Sequence, residues 1–377
     1  TIEGQLQKTG EVWSYKEFAG KVGDSDLSGN LNYDTSGDRG YVTANLLSKK
    51  MDVDDLGGFI GLAPSTGKGE TAAPEQKEQA AKEKARSRLL PDVPLNLKRL
   101  RATDMDIDLK IEKLASPSLP FKGMDVHFDL KQGLLKLDPM HLTLAEGTVA
   151  GALTLDGRQD TPNVDMNLDL KNLRLGRFFD GTRFAKTTQG SLGGRINLTG
   201  SGVSLAKVLA DSDGRISMIV GGGKISLLLV EASDLDIGEA APLLLGKDRS
   251  TEIRCLVGDF KVNDGVLRSE AFVLDTHDTN LQGRVNINLK NETIDGRLDA
   301  KPKDGSILSL QSPITVTGRL KKPSVGLDLA ATAGRGGIAA GFAVLLGPLA
   351  ALLPFIETGD EGKNSDCRAL IARAGGQ

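Results

Sequence analysis

Aromatic side chains are scarce in this 377-residue sequence: they make up 4% of it, whereas glycine occurs 46 times. Sites for sugars and for single-stranded nucleic acid depend on aromatic stacking, so this composition argues against both. The formal net charge is −3, with acidic and basic residues intermixed and no basic stripe, which predicts no nucleic-acid partner. Much glycine and few aromatics together indicate many turns and an aliphatic interior.

The motifs of common catalytic and metal sites are also missing. No G-x-S-x-G elbow occurs, and the three histidines do not stand at metal-ligand spacing. Asp104, Asp106 and Asp108 share one face of a predicted strand and could gather a cation, but every solvent-facing strand has that spacing. We therefore predict no enzymatic activity, no bound metal and no cofactor.

Cysteine is nearly absent, with only Cys255 and Cys367, far apart in the chain. Two cysteines cannot form a four-ligand zinc site by themselves. Their spacing leaves two alternatives open: a pair of buried thiols, or one long-range disulfide that would require an oxidising compartment.

The first residue, Thr1, already lies in strand-like sequence with Ile2, Gln5 and Leu6. No initiator methionine, signal peptide or N-terminal hydrophobic anchor is present. A cytosolic protein and a fragment of a longer protein both fit this start, and the strand-like sequence favours the fragment.

Strict alternation of apolar and polar residues is the dominant pattern of the chain. In MDIDLKIEKL (105–114), Met105, Ile107 and Leu109 alternate with Asp106 and Asp108. A period of two residues predicts half-buried antiparallel strands, whereas parallel sheets show continuous apolar runs. Similar runs recur along most of the chain, so we expect a mainly β fold.

Composition divides the chain into four predicted regions. The second of them is rich in Ala, Glu, Lys and Pro and almost free of apolar residues, which is typical of an exposed linker. The regions are a first β segment (1–63), a polar linker or insertion (64–92), a main β region (93–330) and a helical C-terminal cap (331–377).

Helices are expected at few places. One is predicted near 204–212, where Ser204 is a plausible N-cap, and one or two short ones near 225–246. The nearly all-apolar stretch 337–356 contains two prolines, so we expect two short packing helices there rather than a membrane span. A last helix is predicted at 365–374.

Alternation alone leaves two architectures open. The apolar face could pack against a second sheet or helices, as in most soluble β proteins. Alternatively, the sheet could be long and curved, with its apolar face left open as a channel suited to acyl chains. A weak repeat, LDGRQDTPNVDMNLDL (155–170) and VTGRLKKPSVGLDL (316–329), suggests an extended, repetitive structure.

Several long segments, mutually ordered along the chain, resemble the AsmA family of envelope proteins. Together they cover nearly the whole sequence, although none of them names a catalytic residue. They are GDSDLSGNLNYDTSGDRGYVTANLLSKKMDVDDLGGFIG (23–61), LLPDVPLNLKRLRATDMDIDLKIEKL (89–114), CLVGDFKVNDGVLRSEAFVLDT (255–276), KPKDGSILSLQSPITVTGRLKKPSVGLDLA (301–330) and LAALLPFIETGDEGKNSDCRALI (349–371).

The resemblance implies an inner-membrane protein of Gram-negative bacteria with one N-terminal anchor helix and a large periplasmic part. This chain would be the C-terminal portion of that part, without the anchor. It also implies kinship with bridge-like lipid-transfer proteins, whose repeating β-groove carries phospholipid between membranes. Both cysteines match the family's C-terminal pattern, which implies a Cys255–Cys367 disulfide pinning the last helix to the strand near Ile253.

We therefore expect a mainly β fold: an elongated, twisted antiparallel sheet that forms an apolar groove of the repeating β-groove type, with a few short helices and a helical C-terminal cap. Within each strand, one residue parity should line the groove. The expected lipid-groove residues are Met105, Ile107, Leu109, Ile111, Val126, Phe128, Leu130, Val164, Met166, Leu168, Val285, Ile287, Ile314, Val316 and Leu327. Those expected to face water are Asp106, Asp108, Asp125, Asp129, Asp165 and Asp169.

Three functions remain in competition at this point. The first is a conduit in which phospholipid is the partner and the inner membrane is reached through the anchor that this chain lacks. The second is an assembly or scaffold factor for outer-membrane proteins or lipopolysaccharide, without lipid conduction, with other envelope proteins as partners through β-augmentation. The third is an unrecognised enzyme.

Overall fold

The computed structural model describes most of the β regions of the chain. The described residues are 2–22, 25–52, 78, 88–116, 119–180, 188–226, 250–277, 279–303, 313–327 and 364–370. Most of the predicted linker 64–92, most of the helical segment 225–246, the apolar stretch 337–356 and most of the cap 331–377 lie outside these residues. No helix within them is long and apolar enough to cross a membrane.

The first half of the chain is a succession of strands. These are β1 (Ile2–Thr9), β2 (Val12–Val22), β3 (Ser25–Asp34), β4 (Gly40–Ser48), β5 (Met51–Asp52), β6 (Thr103–Ile111), β7 (Leu114–Ala115), β8 (Phe121–Lys131), β9 (Leu134–Leu144), β10 (Gly147–Asp156) and β11 (Asn163–Arg174). The helix α1 (Leu97–Ala102) precedes β6, and a 3-10 helix (Leu175–Phe179) follows β11.

The second half continues the pattern with longer strands. These are β12 (Gln189–Ser201), β13 (Asp213–Ser226), β14 (Ser250–Asn263), β15 (Val266–Thr276), β16 (Thr279–Asn288), β17 (Thr293–Pro302), β18 (Ile314–Arg319) and β19 (Lys322–Leu327). The helix α2 (Leu205–Ala210) lies between β12 and β13. Its N-cap is Ser204, whose hydroxyl accepts a hydrogen bond from the Lys207 amide, so this predicted helix and its cap are confirmed.

Seventeen strands form one large twisted sheet, while β5 and β7 form a separate two-stranded one. The predicted mainly β, antiparallel architecture is confirmed, although β4 and β6 of the large sheet run parallel. Parallel neighbours need a crossover connection, and residues 49–102 supply it. The short pair β5–β7, which the alternation did not predict, is also parallel.

The chain divides into two compact units. Unit 1 comprises Thr1–Phe178, Arg195–Arg215 and Val262–Gly265, and unit 2 comprises Phe179–Gly194, Ile216–Lys261 and Val266–Gln377. In unit 1, β1 to β4 and then β6, β8, β9, β10 and β11 pair in chain order. In unit 2, β15 to β19 pair antiparallel in the same way.

Gly151 shows why strand glycines matter in this sheet. Its φ is +153°, and a Cβ built there would lie 1.9 Å from the carbonyl oxygen of Asn167 on the neighbouring strand. The backbone of β10 therefore approaches β11 more closely than a side chain permits. Glycine at such points lets a strand bend, which curves a sheet.

Unit 2 holds the predicted disulfide. Cys255 in β14 is joined to Cys367, with the two Cα atoms 6.0 Å apart. A helical turn at 367–370 follows, and the Asp366 side chain accepts a hydrogen bond from the Ala369 amide at 3.0 Å. The bond thus attaches the start of the predicted last helix to β14, as the family resemblance implied.

Candidate functional site

One face of the unit 1 sheet is apolar from strand to strand. Residues that are directly opposite in a sheet point to the same face. Ile107 of β6 lies opposite Phe128 of β8, and Phe128 lies opposite Leu137 of β9. Leu137 in turn lies opposite Leu153 of β10, which lies opposite Met166 of β11. Alternation within each strand therefore becomes a continuous line of apolar side chains across the sheet.

This line extends to the first strand. We call it the central row; it crosses nine strands and spans about 38 Å at about 4.8 Å per strand. Its members are Leu6, Tyr15, Leu31, Ala44, Ile107, Phe128, Leu137, Leu153 and Met166. The row is longer than the half-thickness of a bilayer's hydrocarbon core, about 15 Å.

Apart from Ala44, which is 5% exposed, the members of the central row are only partly buried or exposed. From Ile107 to Met166 each side chain keeps part of its surface accessible, and Leu6 is 65% exposed. In a closed two-sheet core, the inward residues of central strands would be fully buried. Among the described strands of unit 1, extensive contacts join strands that are neighbours in the sheet. Only the short strands β5 and β7 and the helix α1 add contacts of another kind. Accessible apolar faces of this extent are unusual on protein surfaces, and ligand or partner sites are a common reason for them.

One end of the apolar face is closed by the β5–β7 pair. Met51 and Leu114 pack with residues of β6, β8 and β9 and form what we call the end cluster. Its members are Met51, Leu109, Ile111, Leu114, Val126 and Met140, each no more than 9% exposed. This end is core, so charge introduced at Leu109 should disturb folding as well as any ligand.

The helix α1 lies at the opposite end of the same strands. Its Leu97 and Leu100 side chains come within 3.4 and 3.5 Å of the point where a Cβ on Gly157 would stand. At this end Leu130 is 0% exposed and Leu155 is 7% exposed. The apolar face is thus buried at both strand ends and most accessible along the central row.

The structure places all ten predicted groove residues of unit 1 on this one face. Met105, Ile107, Leu109 and Ile111 lie opposite Leu130, Phe128, Val126 and Met124. Val164, Met166 and Leu168 lie opposite Leu155, Leu153 and Gly151. Their shared face agrees with the parity argument, while their role towards lipid stays a prediction.

The five predicted residues of unit 2 also share a face. Val285 and Val316 both lie opposite Gly296, and Ile287 lies opposite Ile294. Ile314 lies opposite Leu298 and, on its other side, opposite Leu327. The backbone register therefore supports an apolar face in unit 2 as well.

Sequence reasoning missed the whole contribution of β9. In LLKLDPMHLTL, the inward residues are Leu135 and Leu137 and then Met140 and Leu142, so the parity changes within the strand. The register shifts against both neighbouring strands at this point, which includes Asp138–Pro139. A β-bulge restores the apolar face after the shift. The Pro in the middle of a strand-like run was the signal that could have revealed it.

The opposite face of the same strands is polar, as predicted. Asp106 lies opposite Asp129. The Nδ1 atom of His127 is hydrogen-bonded to the Asp108 carboxylate at 2.9 Å. Arg195 donates to Asp169 at 3.0 Å. Asp108, Asp125 and Asp165 are exposed, while Asp106, Asp129 and Asp169 keep part of their surface accessible. At the edge of β10, the Arg158 guanidinium lowers the pKa of Asp156 to about 2.

A second feature, in unit 2, is a buried polar cluster beside the disulfide. Asp275 is 0% exposed and accepts hydrogen bonds from Lys303 Nζ at 2.5 Å, Arg254 Nε at 3.1 Å and the Ser365 amide at 3.1 Å. Among the described residues, Cys255, Asp275 and Cys367 are the one group with metal-ligand geometry. Because both cysteines are disulfide-bonded and Asp275 is paired with two cations, the cluster is a structural anchor for residues 364–367.

Comparison with known proteins identifies the relatives of this chain. The model of the AsmA family matches residues 1–272. The AsmA family protein YhjG of Escherichia coli (strain K12) is 27% identical over 363 residues, which is 96% of this chain and 53% of the relative. The chain thus spans about half the length of that protein. No solved structure matches it.

Proposed function

The chain belongs to the AsmA family, and from that premise we propose that it shelters phospholipid acyl chains in an apolar β-groove for transport between the inner and outer membranes. AsmA proteins are a membrane-associated envelope family, and membership supports a role in envelope biogenesis or lipid transport. In our proposal the chain is the periplasmic part of a protein anchored in the inner membrane. The role requires neither catalysis nor a cofactor.

The central row is the observation that carries the proposal. It is continuous across nine strands, accessible at every member except Ala44, and backed by an aspartate-rich outer face. Water is a poor solvent for such a face, and each acyl methylene transferred onto it gains up to about 0.8 kcal/mol. An extended hydrocarbon chain is the ligand whose shape and chemistry match a row of aliphatic side chains.

The chemistry of the row also favours movement along it. From β6 to β11 its members are Ile107, Phe128, Leu137, Leu153 and Met166, none of which has a hydrogen-bond donor and only one of which, Met166, has a weak acceptor. Dispersion contacts are non-directional, so a chain shifted by one strand spacing meets an equivalent surface. The groove can therefore retain an acyl chain strongly and still let it slide.

The disulfide supports the proposed compartment. Cys255 is 0% exposed and bonded to Cys367, and disulfides persist in oxidising compartments such as the bacterial periplasm. This agrees with a periplasmic location on the outer side of the inner membrane.

Lipid analysis of the purified protein tests the proposal. Protein prepared without detergent should carry phospholipid in molar amounts, measured by mass spectrometry of the extract. Replacing Ile107, Leu137 and Leu153 with glutamine should remove most of it. A matched outer-face variant, Thr143, Thr148 and Thr154 to glutamine, should retain it. Wild-type protein that carries none and accepts none from vesicles would contradict the proposal.

The competing function, assembly of outer-membrane proteins or lipopolysaccharide without lipid conduction, has one observation in its favour. Strand β1 pairs with β2 alone among the described strands, and its residues from Glu3 to Thr9 are exposed. An open strand edge can accept a further strand by β-augmentation. Capture of an unfolded outer-membrane protein through β1, with no lipid in the groove, would favour this function.

A further inference from the structure

The strands of unit 1 end along two opposite sides of the sheet, and these two sides differ in charge. We call the side next to β5 and β7 the lysine rim. The described residues of its turns carry seven basic and four acidic side chains; they are residues 25–27, 48–52, 111–114, 119–122, 145–147 and 171–177. On the side of α1, by contrast, Arg39, Arg101 and Arg158 are each ion-paired with an aspartate.

Three lysines on adjoining turns form the centre of the lysine rim. Lys49 and Lys50 precede β5, and Lys113 precedes β7. The turns are joined by two backbone hydrogen bonds of 2.9 Å, from Met51 N to the Lys113 oxygen and from Glu112 N to the Ser48 oxygen. All three lysines are exposed. The chain therefore gathers three ammonium groups immediately beside the two residues, Met51 and Leu114, that enter the end cluster.

Among the described residues, the acidic groups nearby do not pair with these ammonium groups. Asp26 accepts hydrogen bonds from the backbone amides of Lys49 and Lys50, at 2.7 and 3.2 Å, and so fixes the turn. The backbone amide of Asp52 donates a hydrogen bond to the Ser25 hydroxyl, and the Glu112 side chain is exposed. Among the described residues, no hydrogen bond or ion pair engages the ammonium groups of Lys49, Lys50 or Lys113.

Further along the same rim, the one acid is already neutralised. Glu146 pairs with Arg177 and lies 3.9 Å from Lys122, and hydrogen bonding by Arg177 lowers the pKa of its carboxyl group. Exposed Lys171 and Arg174 lie on the same stretch. Positive charge thus follows the rim just beyond the end cluster, where it is exposed to an anionic group that reaches this end of the apolar face.

We propose that the lysine rim binds the phosphate of a phospholipid whose acyl chains lie on the central row, with Lys49, Lys50 and Lys113 as the contacting residues. This inference rests on the proposed function, because the acyl chains bring the phosphate to the rim. Lysine binds phosphate as a point charge without a fixed geometry. The rim therefore selects and orients phosphate-bearing lipids without holding one head group rigidly, which is compatible with movement along the groove.

The test compares lipids that share acyl chains and differ in the head. Phosphatidylglycerol, phosphatidylethanolamine and diacylglycerol are offered to the full chain in mixed vesicles, and the bound lipids are counted by native mass spectrometry. Single exposed ion pairs are weak, so three together should favour phosphatidylglycerol over diacylglycerol by roughly tenfold. High salt should reduce that preference, since the Debye length falls to about 3 Å at 1 M.

Substitution locates the effect. Changing Lys49, Lys50 and Lys113 to glutamine should bring the ratio of bound phosphatidylglycerol to bound diacylglycerol close to unity. The total amount of bound lipid should stay nearly constant. A control that removes three charges elsewhere, Lys98, Arg99 and Lys136 to glutamine, should keep the preference. An unchanged preference in the first variant, or an equal loss in the control, would overturn the inference.

Further outcomes separate this inference from the proposed function. If wild-type protein loads all three lipids equally, the rim inference fails and the groove stands; if it loads none, both fail. Soluble glycerol phosphate in excess should not abolish the preference, and if it does, the rim binds free phosphate instead. If the lysine variant loses vesicle flotation with unchanged lipid composition, the rim contacts a membrane surface and the inference is wrong.

Discussion

Replacing Met166 with glutamate tests the groove most directly. Met166 ends the described central row in β11 and is half-buried opposite Leu153. Methionine and glutamate are both unbranched and similar in length, so the change alters charge with little change in shape. The matched control is Thr143→Glu, which places the same charge at an exposed position on the polar face of β9.

The two architectures predict different magnitudes. If the row is open, Met166→Glu loses only part of one side chain's burial, about 1 kcal/mol of folding free energy. A carboxylate facing acyl chains should cost about 2 kcal/mol of lipid binding, by analogy with charges on the lipid face of membrane sheets. That corresponds to a loss of affinity of roughly thirtyfold. If the row were closed core, an unpaired buried charge would instead unfold the unit.

Thermal unfolding and bound lipid should be measured on the same samples. We expect a drop of only a few degrees in Tm for Met166→Glu together with loss of most bound phospholipid, and neither effect for Thr143→Glu. Leu130→Glu, at a position that is 0% exposed, supplies the unfolding reference. Should Met166→Glu unfold like Leu130→Glu, or fold and keep its full lipid load, the open groove is refuted.

Other predictions concern stability. Reducing the Cys255–Cys367 bond, which joins residues 112 positions apart, should lower the free energy of unfolding by about 4–5 kcal/mol in the chain-entropy model. Thiol titration of denatured, non-reduced protein should find no free thiol. Gly151→Ala should destabilise unit 1 by about 1–3 kcal/mol in denaturant titrations, whereas Gly221→Ala, with nothing within 4 Å of its Cβ, should be nearly neutral. Because the folded-state pKa of Asp156 is lowered from 3.8 to about 2, its ion pair should stabilise the fold above pH 3.8 and lose that effect as pH falls through about 2. Asp156→Asn should remove the loss of stability that occurs between about pH 4 and pH 2 in acid unfolding. An acid-unfolding curve identical to that of the wild type would contradict this prediction.

The face on which each strand residue lies was predictable from the sequence wherever apolar and polar residues alternate without a break. Met105 to Ile111 in β6 and Met124 to Leu130 in β8 alternate without interruption, and their register pairs them as expected. Burial of one face specifies register strongly, because a shift of one residue would turn every apolar side chain outward. The apolar face of unit 1 follows from this local rule repeated strand by strand.

Features that depend on two distant segments were not predictable in the same way. The parallel pairing of β4 with β6 joins strands separated by more than fifty residues, and alternation does not report direction. The end cluster requires β5 and β7, each two residues long, so Leu109 looked like any other groove position although it is core. The contacts of Asp275 with Lys303 and Ser365 likewise join residues that carry no local pattern.

The parallel pair explains how one face can be closed at both strand ends and open between them. An antiparallel hairpin turns back at the end where it arrives, whereas a crossover must leave one end of the sheet and re-enter at the other. Here the crossover begins with β5, whose Met51 closes the end cluster, and finishes with α1, whose Leu97 and Leu100 lie against the loop at Gly157. A single connection thus covers both ends of the apolar face. It also places Lys49 and Lys50 at the point where it departs, so the charge of the rim and the closure of this end of the apolar face arise from the same turn.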